Sequence, residues 1–418
     1  MLASMMRPNF SDPQRLSVRQ LLIDRTFGPF FWGKLFSSTG NWIQNITSAV
    51  VVFSATGSPL ATGLVSALQF AGPLLLSPLA GALTDRWNRR HLLMGGRAIS
   101  ATAALLLGLY VLSGGVETSV TPIYVGTTLL GVGLGISAPA MHALVPQLVN
   151  QRDLETAVAL STSTGNMARA VGPAIGTSIL ILAGPGAAYL TAAGAHSLYL
   201  IGLSLIVQRG LEPARRGPLG VLDGFRHVVR ERPLLKLLLS VVVLSVGADP
   251  VITLAPAIGS ETLGSERWAG ALATAFGLGA VAGVGLVRRA TESRGLRHTA
   301  ISSLLVFGAG LVLAASTRLF PVIVAGFFIA GLGFLVSTAS ITTRIQRRIP
   351  ERLRGRIMAL WAMAFLGSRP FAALLNGSMA EFLSTRVALA VSALLVASGS
   401  LLAAAQFGPE ASEPERAK

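Results

Sequence analysis

Stretches of about 20 mostly apolar residues recur along the whole length of this chain, and a segment of that length is what an α-helix needs to cross the hydrocarbon of a bilayer. Across its 418 residues we read twelve of them, at approximately 30–53, 60–83, 92–113, 120–145, 157–182, 186–207, 234–257, 268–287, 298–317, 319–343, 357–379 and 387–407. Hydrophobic residues make up 52% of the chain and charged ones only 12%, far too apolar a mixture for a soluble protein. The 46 glycines and 21 prolines sit inside the apolar runs, where membrane helices tolerate both. The expected fold is therefore all-α and integral to the membrane, with twelve transmembrane helices.

Where the charges fall decides what the +16 net charge means. The alternate loops and termini that share one side hold 27 of the 34 Lys and Arg residues, and the opposite loops hold Arg267, Arg318 and Arg386. By the positive-inside rule both termini are expected in the cytoplasm. The basic excess is then an orientation signal, and no nucleic-acid partner is expected. The first 28 residues lack an apolar core followed by a cleavage site, so no secretory signal is expected. With no cysteine, disulfides, thiolate metal sites and cysteine nucleophiles are excluded. Of the four basic residues inside spans, Lys34 and Arg97 lie within about two turns of the cytosolic end, where snorkelling is expected. His142 and His196 have no metal-ligand spacing and are read as polar packing residues.

The longest break between spans divides them six and six. The expected organisation is a cytosolic N-terminal segment (1–29), a six-helix bundle (30–207), a cytosolic linker (208–233), a second six-helix bundle (234–407) and a cytosolic tail (408–418). Within the linker, Leu222, Phe225 and Val229 share one helical face, as in a short interfacial helix. The halves also match each other. A shift of 207 positions pairs Gly63 with Gly270, Gly72 with Gly279, Asp85 with Glu292 and Arg90 with Arg297. A shift of 200 pairs Arg152 with Arg352 and Arg169 with Arg369. Duplicated halves of this kind are the pattern of transporters that rock two bundles about a site near the midplane.

Between spans 2 and 3 the chain reads Gly81-Ala82-Leu83-Thr84-Asp85-Arg86-Trp87-Asn88-Arg89-Arg90. So tight a reversal calls for a residue that tolerates positive φ, a role open to Asn88. An acid among arginines at a helix end either bridges to a partner helix in one conformation only or is simply a charged turn. This segment resembles the signature of the major facilitator superfamily, with Gly81 leading it, Asp85 as the acid, Arg86, Arg89 and Arg90 as the basic positions, and Asn88 where the family carries glycine. The block from Pro139 to Gly176 and the run Gln346 to Arg356 are similar to the enterobactin-exporter and drug-efflux branch of that superfamily. On span 5, Gly172-Pro173 is expected to break a backbone hydrogen bond and kink the helix, and Gly176 to admit a close neighbour; the three resemble the family's exporter motif, although Ala168 and Thr177 stand where that motif has glycines, and a purely structural kink is the alternative. The resemblance implies two pseudo-symmetric six-helix bundles, spans 1, 4, 7 and 10 around a cavity, and spans 2, 5, 8 and 11 at the contact between halves.

Arg169 and Arg369 each lie about 12 residues into a span, roughly 18 Å deep. A guanidinium there needs a carboxylate, carbonyls or an anionic ligand. The acid at comparable depth is Asp249, followed by the kink-forming Pro250. We read the arginines as a pseudo-twofold pair near the cavity and Asp249 as a proton-coupling group; structural roles for all three remain open. Ser38, Asn41, Asn45 and Ser48 form one polar stripe on span 1, and Ser245, Asp249 and Thr253 a similar line on span 7. Each either lines a cavity or bonds to a neighbouring helix.

The three lysines follow no phosphate-binding loop, so ATP hydrolysis is not expected, and no catalytic constellation or cofactor site is seen. The reading is a secondary active exporter, an antiporter driven by protons, for small hydrophobic or anionic molecules. The setting is the bacterial cytoplasmic membrane, with lipid and a small-molecule substrate as partners and a monomer as the expected state. Lipid or lysophospholipid translocation and solute uptake are alternatives within the same fold, and a membrane-embedded enzyme is a distant third.

Overall fold

The computed structural model of the chain describes residues 16–206, 221–349 and 354–404. Its long elements are α2 (Phe27–Thr56), α3 (Pro59–Arg86), α4 (Arg89–Leu112), α5 (Thr121–Leu148), α6 (Leu154–Leu205), α8 (Arg232–Ala248), α11 (Ala269–Ala315), α12 (Phe320–Arg348) and α15 (Thr385–Ala404). Shorter helices complete the set: α1 (Val18–Ile23), α7 (Val221–Arg230), α9 (Pro250–Thr253), α10 (Ala255–Leu263), α13 (Arg354–Gly367) and α14 (Arg369–Phe382). Among the described residues there is no strand, as expected where lipid cannot satisfy an open sheet edge.

Helix starts follow local chemistry. Ser17 and Gln20 form a reciprocal cap on α1. Ser58 caps α3 ahead of Pro59 at its first position. Asn88 does not supply a left-handed turn. Its φ is −64°, and its side chain accepts from the backbone N–H groups of Arg90 and His91, so the α3–α4 reversal is made by an N-cap. Positive φ occurs only at glycines among the described residues.

Two helices are twice the expected length because the chain turns at a glycine without losing the helix for more than a residue. Gly184 (φ 81°, ψ 172°) interrupts α6 and Gly295 (φ 74°, ψ 163°) interrupts α11, an extended backbone conformation at positive φ in which a Cβ costs about 1–3 kcal/mol. The direction reverses there. Going up α2, Lys34, Trp42 and Ile46 meet Ser161, Gly172 and Gly176 in ascending order, while Pro29, Gly33, Gly40 and Ser48 meet Gly202, Tyr199, Ala192 and Tyr189 in descending order. Length and apolarity alone select eight of the described helices. Of these, α6 and α11 each divide in two at their glycine, and α2 and the α13/α14 pair pack beside them without meeting the same length and apolarity. Span 7 breaks at Asp249-Pro250 as α8, α9 and α10, and span 11 breaks at Ser368, ahead of Arg369-Pro370.

The internal repeat is visible in the packing. Gly131 meets the backbone of Gln69, and Gly331, 200 residues on, meets that of Phe276, 207 residues beyond Gln69. Gly133 likewise meets Gly96 and Ser100, and Gly333 meets Ser303 and Phe307. Gly72 touches α5 within its own half and Gly279 touches α12 within the other. The contact between halves is made chiefly by α3 against α14 and by α6 against α11, the spans 2, 11, 5 and 8 that the family resemblance implies.

On the surface helix α7, Val228 is buried and Val229 is 49% exposed, so Val229 does not belong to the inward face. The side chains of Leu222 and Phe225 lie outside the described residues, as do 208–220 of the linker, Pro350 to Leu353 and the tail.

Candidate functional site

The two halves touch along a seam that is closed at one end. At the end opposite the arginine-rich loops, Ser58 Oγ donates to Glu381 Oε2 at 2.8 Å, Gly377 packs on Pro59 and Leu60, and Gly63 packs on Ala373 and Thr253. Gly270 rests on Thr177 and Gly277 on Arg169 and Ala170. Towards the arginine-rich end the seam parts. Gly81 lies five helical turns beyond Gly63 on the same face of α3, yet no atom of the described residues approaches within 4 Å of where its Cβ would be. One and two turns below Ala170, Asn166 and Thr162 are exposed.

Where the seam closes, a narrow cavity is lined by Trp42, Arg169, Pro173, Ala248, Val251, Ile252, Ala273, Phe276 and Arg369. The structure thus brings Arg169 of α6 and Arg369 of α14 to one space. Rings surround both. The Arg169 guanidinium carbon lies 5.6 Å from the centroid of Trp42 and 5.2 Å from that of Phe334. That of Arg369 lies 4.6 Å from Phe70 and 5.3 Å from Phe365, and Phe365 is also 6.0 Å from Arg169. Cation–π contact offsets part of the desolvation, about 1–2 kcal/mol for each good ring. The Nε–H of each arginine is buried without a partner, and among the described residues neither has an acid within 4.0 Å. The chemistry left unspent is donor only and positive.

Asp249 lies between two cavity-lining residues, Ala248 and Val251, without lining the cavity itself. Its oxygens accept from Thr253 Oγ1 at 3.1 Å and Asn376 Nδ2 at 2.9 Å, and Asn376 in turn accepts from Ser392 at 2.7 Å. Asn376 was not signalled by the sequence, being a lone amide with no periodic companion. Ser245 Oγ donates to the carbonyl of Phe365 at 2.6 Å, one of the acceptors freed near the α13/α14 break. On α2, Ser38 and Asn41 are half-buried, whereas Asn45 donates to Gln69 and Ser48 pairs with Tyr189 Oη at 2.9 Å. The stripe therefore divides between two half-buried positions and two that bond within the bundle. Gln44, fully buried with neither amide atom partnered, was also missed.

The loop motif braces the first half. Arg89 donates to the carbonyl of Ala143 at 3.1 Å and Arg90 to that of Ser204 at 2.7 Å, while Arg86 is exposed. The side chain of Asp85 lies outside the described residues. Gly172 packs on Trp42 and Gly176 on Ile43 and Ile46, and α6 keeps helical angles through Pro173.

Lys34 and Arg97 do not snorkel. They are 6% and 3% exposed, because their azimuth on α2 and α4 points them into the bundle. Lys34 Nζ donates to the carbonyl and hydroxyl of Ser161, both at 2.7 Å, and Arg97 donates to Ser37 at 3.2 Å and Ser137 at 2.8 Å.

The first half, the matching second half and the seam between them recur in solved transporters. The fold superposes on the nucleoside transporter NupG with a TM-score of 0.72 at 10% identity, covering 92% of this chain and 99% of that one. It superposes on a bacterial homologue of the iron transporter ferroportin, in an inward-facing state, with a TM-score of 0.70 at 16% identity, covering 94% and 98%. In sequence the chain is 28% identical over 371 residues to the enterobactin exporter of Shigella boydii serotype 18, covering 87% of each. A model of the transmembrane secretion effector family matches residues 21–415, and the chain belongs to that family of major facilitator transporters.

Proposed function

We propose that this transporter exports a small anionic compound with aromatic or apolar character, of the siderophore or secondary-metabolite kind, by alternating access coupled to inward proton movement. The observation that carries the reading is the cavity between the halves. Arg169 and Arg369, one from each half, bring guanidinium Nε–H donors without partners and flanking rings to the same space, with no acid among the described residues in ion-pair contact with either. A ligand that combines negative oxygen with a planar face supplies what such a site lacks. The similarity to enterobactin exporters points the same way.

With the arginine-rich loops in the cytoplasm, the parted end of the seam faces the cytosol and the closed end faces outward. Cargo then enters from the cell interior, and closure of that end would release it outside. Asp249 sits where α8 breaks, joined through Asn376 to α14, so a proton gained or lost there changes the bonds that hold spans 7, 11 and 12 together. We read the chain as a monomer in the bacterial inner membrane.

The test is transport by Asp249→Asn in vesicles across an imposed pH gradient. The reading expects efflux that no longer follows the gradient; efflux by the variant with the wild-type pH dependence would remove Asp249 from coupling.

A further inference from the structure

At the end of the second half opposite the arginine-rich loops, the ends of α10 and α11 and the starts of α12 and α15 enclose a cavity of about 240 Å³. It shares no lining residue with the cavity between the halves. Its floor is apolar: Ile258, Ala314, Ile323 and Leu389 are only 1–3% exposed. Its rim is charged. Glu261 comes from α10, Arg318 from the turn between α11 and α12, and Arg386 from α15.

The acid and the two bases line one space without pairing. The buried hydroxyl of Thr385 donates to the Glu261 carboxylate, 2.9 and 2.7 Å from its two oxygens, and anchors it. Arg386 donates to the carbonyl of Thr317 at 3.4 Å, which uses one of its five N–H groups. Among the described residues no ion pair joins Glu261 to either arginine, and Arg318 bonds to none of them.

Water can hydrate such a rim but gains nothing over an apolar floor. A simple anion leaves Glu261 unmatched, and a simple cation leaves the arginines so. A small zwitterion with an apolar part meets all three demands: its ammonium faces Glu261, its oxoanion faces the guanidinium groups, and its apolar part covers the floor. At roughly 30 Å³ per water the space equals about eight waters, the bulk of an amino acid with a short aliphatic side chain.

The internal repeat shows that a bundle end can close without these charges. Gly57 and Gly264, 207 residues apart, both end their helix at positive φ, 65° and 68°, so the register holds at this end. Shifted by 207, Glu261 corresponds to Ser54; shifted by 200, Thr385 and Arg386 correspond to Pro185 and Gly186. The turn at 113–120, which matches the one carrying Arg318, has no Lys or Arg. The charged rim belongs to the second half alone.

We propose that Glu261, Arg318 and Arg386 form a binding site for a small amphipathic zwitterion of the amino-acid class, separate from the cavity between the halves. An occupant ties the end of span 7 to the turn between spans 9 and 10 and to the start of span 12.

The test is calorimetric titration of the purified full-length protein with leucine, valine and methionine, and with two leucine analogues that each lack one charge, 4-methylpentanoate and 3-methylbutylamine. The site predicts saturable binding of at least one amino acid and affinities about 10-fold weaker for the analogues, the loss of one charge-assisted contact. Glu261→Gln is expected to weaken the amino acid to a similar degree and to leave 4-methylpentanoate unchanged. Arg318→Ala is expected to weaken both and to leave 3-methylbutylamine unchanged. Both positions are exposed, so each variant is expected to keep the native unfolding midpoint, measured alongside. Absence of saturable binding by all three amino acids would overturn the proposal. So would amino-acid affinity retained by the variant carrying both substitutions, the result that a ligand held between Arg169 and Arg369 would give.

Discussion

Asp249 owes its place to the residue after it. Pro250 has no N–H to give the preceding turn, α8 ends at Ala248, and the carboxylate is held by side chains from α9 and α14 instead of facing solvent. Asn376→Ala would leave a carboxylate oxygen and the Ser392 hydroxyl without their buried partner, a loss of about 1–3 kcal/mol for each group. The expected outcome is a lower unfolding midpoint in detergent, read by tryptophan fluorescence. At this scale the sequence showed residue type and depth. Arg169, Arg369 and Asp249 stand out as charges deep in apolar runs. Their partners were not legible, because Phe70, Phe334, Phe365 and Asn376 come from other helices, and nothing in the linear pattern fixes which face of one helix meets which face of another. Lys34 and Arg97 show the same limit: distance from a helix end gives depth, while inward or outward direction comes from packing.

The glycines at which α6 and α11 turn decide where those elements end. Both are at positive φ, 81° and 74°, with no atom near the space a Cβ would take at Gly184. Gly184→Ala is therefore opposed by backbone strain and not by crowding, and is expected to cost about 1–3 kcal/mol. Chemical denaturation in micelles measures it, and an unchanged stability would show that the turn is not held in that conformation. Helix existence was readable from apolar length, but a turn that costs one residue of helix leaves no polar loop to mark it. The same reasoning explains α2, whose Asn and Ser stripe lowers its apolarity, and α14, whose start is set by Arg369-Pro370 within an apolar run. Asn88 carries the opposite lesson. A polar residue at a tight reversal was read for the φ it tolerates, and its side chain is used as a cap.

Across the whole molecule, the seam is closed at one end and parted at the other, and its closed end is tied by Glu381, which accepts from Ser58 Oγ and the backbone N–H of Leu60. Glu381→Ala removes that tie between halves. A charge-assisted bond at an exposed position contributes about 0.5–1.5 kcal/mol, so under the proposed alternating access the ratio of the two conformations should move about 2- to 10-fold toward opening at that end.

Because the chain has no native cysteine, two labelled pairs can report on both ends: Ala55→Cys with Phe382→Cys, exposed positions that leave the Ser58–Glu381 tie in place, and Gly165→Cys with Gly285→Cys across α6 and α11. The most direct measurement is the distribution of spin–spin distances for each pair in lipid nanodiscs, repeated as the pH is changed. Movement of two rigid halves about a central cavity predicts that the first distance lengthens as the second shortens, with the two populations changing in step. Distances that stay fixed at both ends, or that lengthen together, would contradict it.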